Sequence, residues 1–231
     1  MCYSFRTSVI SYILGISSAI FAILTKQIVL GVLILTYSQI QFAEMLIWYG
    51  IDTKNENINR FGTSYGKYLL ATHNIAIGLG ILLYISYIKK EELKFNDFIP
   101  LIIGISFFFI VVHCIYKPNK HKDLTYPLDE NCRDSTYKCQ NPNNRLKWPW
   151  PYNWYTYGFI ISLIILFLYV EPVQSKIWLL FIFISTFIYM AIFNTKVVGS
   201  LWCFSAAILA PLIVIVNYCL IQGKNVNDIL T

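Results

Sequence analysis

The sequence predicts an all-α integral membrane protein, a bundle of seven transmembrane helices in a single domain that covers residues 1–231. Apolar residues make up 57% of the chain and charged residues only 13%, whereas soluble domains carry about 25% charged residues. Several apolar runs also reach the length of about 20 residues that a helix needs to cross a bilayer. Because backbone groups find no water partners in lipid, runs of this kind should be helices.

The seven predicted spans are joined mostly by short connections. They cover residues 8–25, 28–50, 68–88, 98–116, 155–171, 177–194 and 199–222. Only Lys26 and Gln27 separate the first two spans, so those spans should pack as antiparallel neighbours. The long connection, residues 117–154, is rich in Pro and ends in a cluster of Trp and Tyr. We expect this loop either to join an interfacial aromatic belt or to cover a functional site.

The charge pattern points to the lipid bilayer as the partner and away from nucleic acid. The formal net charge is +6, but the basic residues lie in short loops between spans, where they match anionic lipid surfaces.

An odd number of spans places the two termini on opposite faces. Cys132 and Cys139 in the long loop are candidates for a disulfide, which would suit an oxidising compartment; two free thiols are the alternative. We predict that the N-terminus and the long loop are extracellular or lumenal.

A polar stripe in the second predicted span is the first candidate site. Ionisable residues inside spans are rare and usually functional, and Glu44 is the only acid well inside one. Tyr37, Gln41, Glu44 and Trp48 follow one another at spacings of four, three and four residues. These spacings place all four on one face of a helix. The stripe should face the bundle interior, either as a ligand-binding surface or as a network of hydrogen bonds between helices.

Two histidines inside predicted spans suggest a metal site. From the predicted span ends, His73, His113 and Glu44 all lie within about 5–9 Å of the N-terminal face of the membrane, since a helix rises 1.5 Å per residue. Two imidazoles and a carboxylate suit zinc and leave a position open for water. Water activated by zinc could attack a lipid ester or amide. The same side chains could instead form a proton relay or ordinary hydrogen bonds.

Three short motifs lie near these candidates. The chain begins M-C-Y-S, the second span contains Q-x-x-E-x-x-x-W, and the last span contains W-C-F. Together they resemble an uncharacterised family of small polytopic membrane proteins. The matching positions are Cys2, Ser4, Ser8, Gln41, Glu44, Trp48, Trp202, Cys203 and Phe204. The resemblance covers the first two spans and the last one. It implies that these positions form one unit, which adds Trp202 and Cys203 to the predicted ligand-binding residues, but it implies no activity.

Cys2 is a further candidate for chemistry. Removal of Met1 would leave Cys2 with a free amine beside its thiol, and such a residue can act as a nucleophile. The alternative is an ordinary residue at a frayed terminus.

Three functions remain open from the sequence. The first is a sensor, ligand-binding or assembly protein whose polar cluster takes a lipid or a small apolar ligand. The second is a proton-linked channel or transporter, and the third is a membrane-embedded, metal-dependent lipid hydrolase with zinc as its cofactor. No covalent retinal is expected, because the last predicted span, residues 199–222, contains no lysine for a Schiff base.

Overall fold

The computed structural model describes most of the N-terminal half of the chain and the last helix. The described residues are 4–115, 124–127, 146–149, 157, 160–161, 164–165, 167–168, 184, 188 and 198–223. Within them the chain forms five long α-helices: α1 (Phe5–Leu24), α2 (Ile28–Asp52), α3 (Glu56–Leu83), α4 (Ile99–Ile115) and α5 (Val198–Gln222). The prediction of a helical protein is confirmed for the described residues, which are mostly helical.

Among the described residues, four helical segments are long and apolar enough to cross a membrane. They are Phe5–Leu24, Ile28–Asp52, Ala71–Lys89 and Phe95–His113. The segment Ala71–Lys89 joins the second half of α3 to a π-helical turn, Tyr84–Lys89, and a 3₁₀ turn, Phe95–Phe98, leads into α4. Within α5, residues Ile208–Gln222 form a shorter apolar helix. The predicted spans 155–171 and 177–194 fall mostly outside the described residues, so the number seven stays a prediction.

Helices α1 and α2 form the tight antiparallel pair that the sequence predicts. Helix α1 ends at Leu24, and the amide of Gln27 donates to the carbonyl oxygen of Ala22 at 2.8 Å, which reverses the chain within three residues. Farther along the pair, Gly15 lies against Ser38, and a Cβ on this glycine would fall 2.9 Å from the Cβ of Ser38. The absence of a side chain at Gly15 therefore lets the two backbones approach closely.

Helix α3 begins twelve residues earlier than the predicted start at residue 68. The predicted span 68–88 agrees with the apolar segment Ala71–Lys89. The loop predicted before it is wrong for residues 56–67, which are helical, and only Thr53–Asn55 separate α2 from α3. Asn55 caps the new helix start, because its side chain accepts hydrogen bonds from the amides of Asn57 at 3.1 Å and Ile58 at 3.3 Å. Gly62 lets this polar first part of α3 pack against α2, because a Cβ at this position would fall 2.9 Å from the carbonyl oxygen of Ala43.

Below this polar part, the helices share an apolar core. It contains Leu33 and Ile34 of α2, Ile77 and Ile81 of α3, and Val214 of α5. Helix α4 packs on the other side of α3, where Gly104 leaves room for the backbone of Asn74 and Gly78 for that of Leu101.

Two short strands connect the long loop to this bundle. Strand β1 (Tyr126–Pro127) pairs with strand β2 (Leu146–Lys147) in antiparallel register, with Pro127 opposite Leu146. Leu146 is fully buried and Pro127 is buried. Residues 124–127 and 146–149, called the hairpin below, therefore pack onto the helices.

Candidate functional site

The polar stripe of α2 faces the interior of the bundle. Gln41, Glu44 and Trp48 are 0% exposed, and Tyr37 is buried as well. Burial of a carboxyl group and a carboxamide in neighbouring turns is unusual for a membrane span, because each must be taken out of water. The stripe therefore brings a carboxyl group and a carboxamide into the described interior, and its role in binding stays a prediction.

Helix α1 adds two serines at the depth of the stripe. Tyr12 contacts Phe42 with ring centroids 5.5 Å apart, and this antiparallel register places Ser8 and Ser11 beside the region of Glu44. Both serines are fully buried. Ser4 has a different role, because its hydroxyl oxygen accepts a hydrogen bond from the amide of Thr7 at 3.3 Å and so caps α1.

Helix α3 presents His73 and Asn74 to the interior, and both are buried. The imidazole of His73 meets the ring of Tyr37 edge to face, with centroids 4.3 Å apart and an interplanar angle of 61°. By contrast, the α3 residue beside Ala43 is Gly66. His73 thus lies seven residues, or about 10 Å, deeper than the turn of α3 that faces Glu44. The sequence predicted that His73 and Glu44 lie at the same depth in the bundle. This prediction is wrong, because α3 starts earlier than predicted.

The three predicted metal ligands are not brought together. Glu44 is fully buried, His73 lies about two turns deeper, and the side chain of His113 on α4 is exposed. Across the described parts of the chain, no group of three or more His, Cys, Asp or Glu side chains is placed to hold a metal ion. The geometry gives the predicted zinc site no support.

The hairpin is attached to α3 by a buried hydrogen-bond cluster. The Nδ2 of Asn59 donates to the carbonyl oxygen of Thr125 at 2.8 Å, and the amide of Thr125 donates to the Oδ1 of Asn59 at 3.0 Å. The hydroxyl of Thr63 lies 2.8 Å from that of Thr125. The side chain of Asn59 thus bonds both backbone groups of Thr125, as a neighbouring strand would. Sequence reasoning missed this contact, since it assigned residues 51–67 to a loop.

Trp148 covers the groove between α2 and α3. Its indole lies on Gly66, so closely that a Cβ at this position would fall 2.7 Å from the ring and 3.4 Å from the Cβ of Ala43. Trp148 is buried, and Ala43 precedes Glu44 in the chain. Of the two interpretations of the long loop, a membrane belt or a cover, the placement of Trp148 favours the cover.

Several predicted site residues cannot be placed. Cys2, Cys132 and Cys139 lie outside the described residues, as do Trp150, Tyr152, Trp154 and Tyr155 of the aromatic cluster. The backbone of Trp202 and Cys203 belongs to the first turns of α5, but their side chains are outside the description. The nucleophile, the disulfide and the contribution of α5 to the stripe stay predictions.

A second buried polar contact lies at the opposite end of the bundle. The Nδ2 of Asn217 donates to the Oε1 of Gln27 at 2.7 Å, and the Nε2 of Gln27 donates to the carbonyl oxygen of Val214 at 3.2 Å. These bonds join the α1–α2 turn to α5. Between them and His73 lies the apolar core.

Comparison with known proteins assigns no relative: no protein-family model, no curated protein and no solved structure matches this chain. The resemblance carried by the three sequence motifs therefore stays a prediction, and the function must be argued from the geometry.

Proposed function

We propose that this chain is a multi-pass membrane protein that binds a small ligand in its polar interior, beneath the hairpin, and serves as a sensor or binding protein. The observation that supports it most is the complete burial of Gln41 and Glu44 on one face of α2. Trp148 of the hairpin packs next to this region, on Gly66 and beside Ala43. A buried polar surface of this kind, closed on the outside by an aromatic side chain, is suited to bind a ligand out of contact with water.

The burial of Glu44 favours binding over a purely structural role. An apolar residue of similar size would hold two helices together at least as well, because an ionisable group must be desolvated before it can contribute. Polar residues inside spans therefore usually mark functional positions. Gln41 and Ser11 add hydrogen-bonding groups at neighbouring depths, and both are fully buried.

The same geometry gives less support to the two alternatives. A channel or transporter needs a polar route through both halves of the membrane, whereas Leu33, Ile34 and Ile77 pack below His73. A zinc hydrolase needs three ligands around one open position, and His113 is exposed while His73 lies deeper than Glu44. Both remain alternatives to be tested by flux in proteoliposomes and by metal content.

The proposal includes a topology. Seven spans place the N-terminus, the α2–α3 turn and the hairpin on one side of the membrane, which we propose is extracellular or lumenal. The bilayer is the surrounding partner, and a disulfide between Cys132 and Cys139 would fit this orientation.

The test is to identify what copurifies with the protein. Wild-type protein and the variants Gln41→Leu and Glu44→Gln are purified in detergent, and bound small molecules are extracted and identified by mass spectrometry. Leu35→Ala is the matched control, since Leu35 lies on the outer face of the same helix and is exposed. We expect one molecule in near-stoichiometric amount in the wild type and the control, reduced at least tenfold in the other two. Equal amounts in all four proteins, or no bound molecule in any, would contradict the proposal.

A further inference from the structure

His73 carries a buried nitrogen that the fold leaves unsatisfied. Its side chain is 8% exposed, and its Nε2 has no hydrogen-bond partner within the described structure. Buried polar atoms in proteins are nearly always paired, so each exception requires an explanation such as a bound molecule. Another buried atom of this kind among the described residues, Oδ1 of Asn217, lies five residues from the end of α5, or about 8 Å.

The imidazole of His73 is fixed in position by the side chains that pack around it. The ring of Tyr37 contacts it edge to face at 4.3 Å, and Tyr37 itself belongs to the apolar core together with Ile34 and Ile77. Asn74, the next residue of α3, is buried as well. His73 thus marks the boundary at which the polar interior ends and the apolar core begins.

The chemistry of imidazole restricts what could pair with this nitrogen. A neutral imidazole has one nitrogen that donates and one that accepts. A hydroxyl group both donates and accepts, so it can pair with Nε2 in either tautomer. A charged group is disfavoured, because α3 at this depth belongs to the apolar segment Ala71–Lys89.

We propose that Nε2 of His73 binds the hydroxyl group of an uncharged alcohol, held beside the ring of Tyr37. This inference rests on the proposed ligand-binding function and specifies the chemical class of the ligand. The hydroxyl belongs either to a lipid, such as a diacylglycerol, or to a free small polyol, such as glycerol. Both sources offer the same hydrogen-bonding group, and the experiment separates them.

The test measures the ¹⁵N NMR resonance of this nitrogen directly. Protein labelled with ¹⁵N-histidine is prepared in micelles, and the His73 signals are assigned by comparison with His73→Phe. The probes are 1,2-dioleoylglycerol, glycerol, and 1,2-dioleoyl-3-acetylglycerol, whose hydroxyl is blocked. We expect one of the two hydroxyl compounds to shift the Nε2 resonance of His73 saturably, while the acetylated compound does not. His113 is the internal control, because its exposed side chain should show no saturable shift.

The affinity of the active probe should fall at least tenfold in His73→Phe and partly recover in His73→Gln, which restores a hydrogen-bonding group. His73→Gln also covers the case in which His73→Phe does not fold. The inference is overturned if neither alcohol shifts the resonance, if the acetylated compound acts as well as the alcohol, or if His73→Phe binds like the wild type. If Glu44→Gln loses a copurified molecule that His73→Phe retains, the inference fails while the proposed function stands.

Discussion

The two ends of this bundle bury polar groups in different ways. At the end opposite the N-terminus, Gln27 and Asn217 form a local contact that ties a tight turn to α5. At the N-terminal end, Gln41 and Glu44 belong to a buried stripe that extends along α2, and Trp148 of the hairpin packs nearby on Gly66 and beside Ala43. The first arrangement joins chain segments, whereas the second lines an interior. The comparison teaches that buried amides of the same chemistry occur in two settings, as a single contact between two chain segments and as part of a stripe along one helix face.

The largest effect should come from matched substitutions of two glycines, one at each end. A Cβ on Gly31 would fall 2.6 Å from Cγ1 of Ile23 and 3.1 Å from two backbone atoms of α1, the carbonyl oxygen of Ala19 and the amide nitrogen of Ile23. A Cβ on Gly66 meets chiefly the ring of Trp148. We expect Gly31→Val to lower the free energy of unfolding by about 3 kcal/mol through overpacking. Gly66→Val should instead displace the hairpin and spare the helices.

Denaturation in mixed micelles, followed by circular dichroism, measures the first effect, and tryptophan emission reports the second. A Gly66→Val protein that loses as much helical stability as Gly31→Val would contradict the difference between the two ends.

Asn217 and Gln27 should behave as a coupled pair. Replacing one of them by leucine leaves the partner amide buried without the Asn217–Gln27 hydrogen bond, which costs about 1–3 kcal/mol. The double variant Gln27→Leu/Asn217→Leu removes both polar groups, so its loss should be smaller than the sum of the single losses. The double-mutant cycle, measured by denaturation, gives the coupling directly. Additive losses would mean that the pair does not fasten the α1–α2 turn to α5.

Release of the hairpin should be possible without unfolding the helices. Asn59→Ala removes both hydrogen bonds to Thr125, so we expect the hairpin to detach and the loop to be cut by protease at least several-fold faster. Asn57→Ala is the matched control, because Asn57 is exposed on the same first turns of α3. Limited proteolysis followed by mass spectrometry measures the difference. Equal cleavage rates in the two variants would show that Asn59 does not hold the hairpin.

The sequence predicted the bounds of most described helices well, but it predicted less well how the helices are placed relative to one another. Apolar runs located α1, α2 and α4 to within a few residues, because the length of a span is set by the bilayer. The start of α3 was missed, since residues 56–67 are largely polar and their helix depends on the Asn55 cap and on the packing of Gly62 against α2. Spacing within one helix placed the stripe of Gln41 and Glu44 on a buried face.

The relative depth and rotation of the helices, and the contacts between distant segments, could not be predicted from local sequence patterns. The depth of His73 relative to Glu44 depends on where α3 begins, and an error of twelve residues there misplaced it. The exposure of His113 depends on the rotation of α4, for which a nearly uniform apolar sequence gives no signal. The contact of Asn59 with Thr125 joins positions 66 residues apart, and no local pattern indicates such a pair.

The smallest predicted effect concerns the two turns that close α1 and α2, one at each end of the bundle. Lys26 and Lys54 adopt left-handed backbone conformations, with φ of 66° and 54°. Such a conformation costs a non-glycine residue about 1 kcal/mol, and glycine avoids this penalty. Loss of a positive charge beyond a helix C-terminus opposes the gain by a few tenths of a kcal/mol. We expect Lys26→Gly and Lys54→Gly each to raise the free energy of unfolding by about 0.5 kcal/mol, measured by denaturation in mixed micelles. Lys26→Ala and Lys54→Ala, which lose the charge but keep the Cβ, are the controls and should not stabilise. A gain at Lys54 without one at Lys26 would show that the turn beside the apolar core is held by Gln27 and not by its own backbone preference.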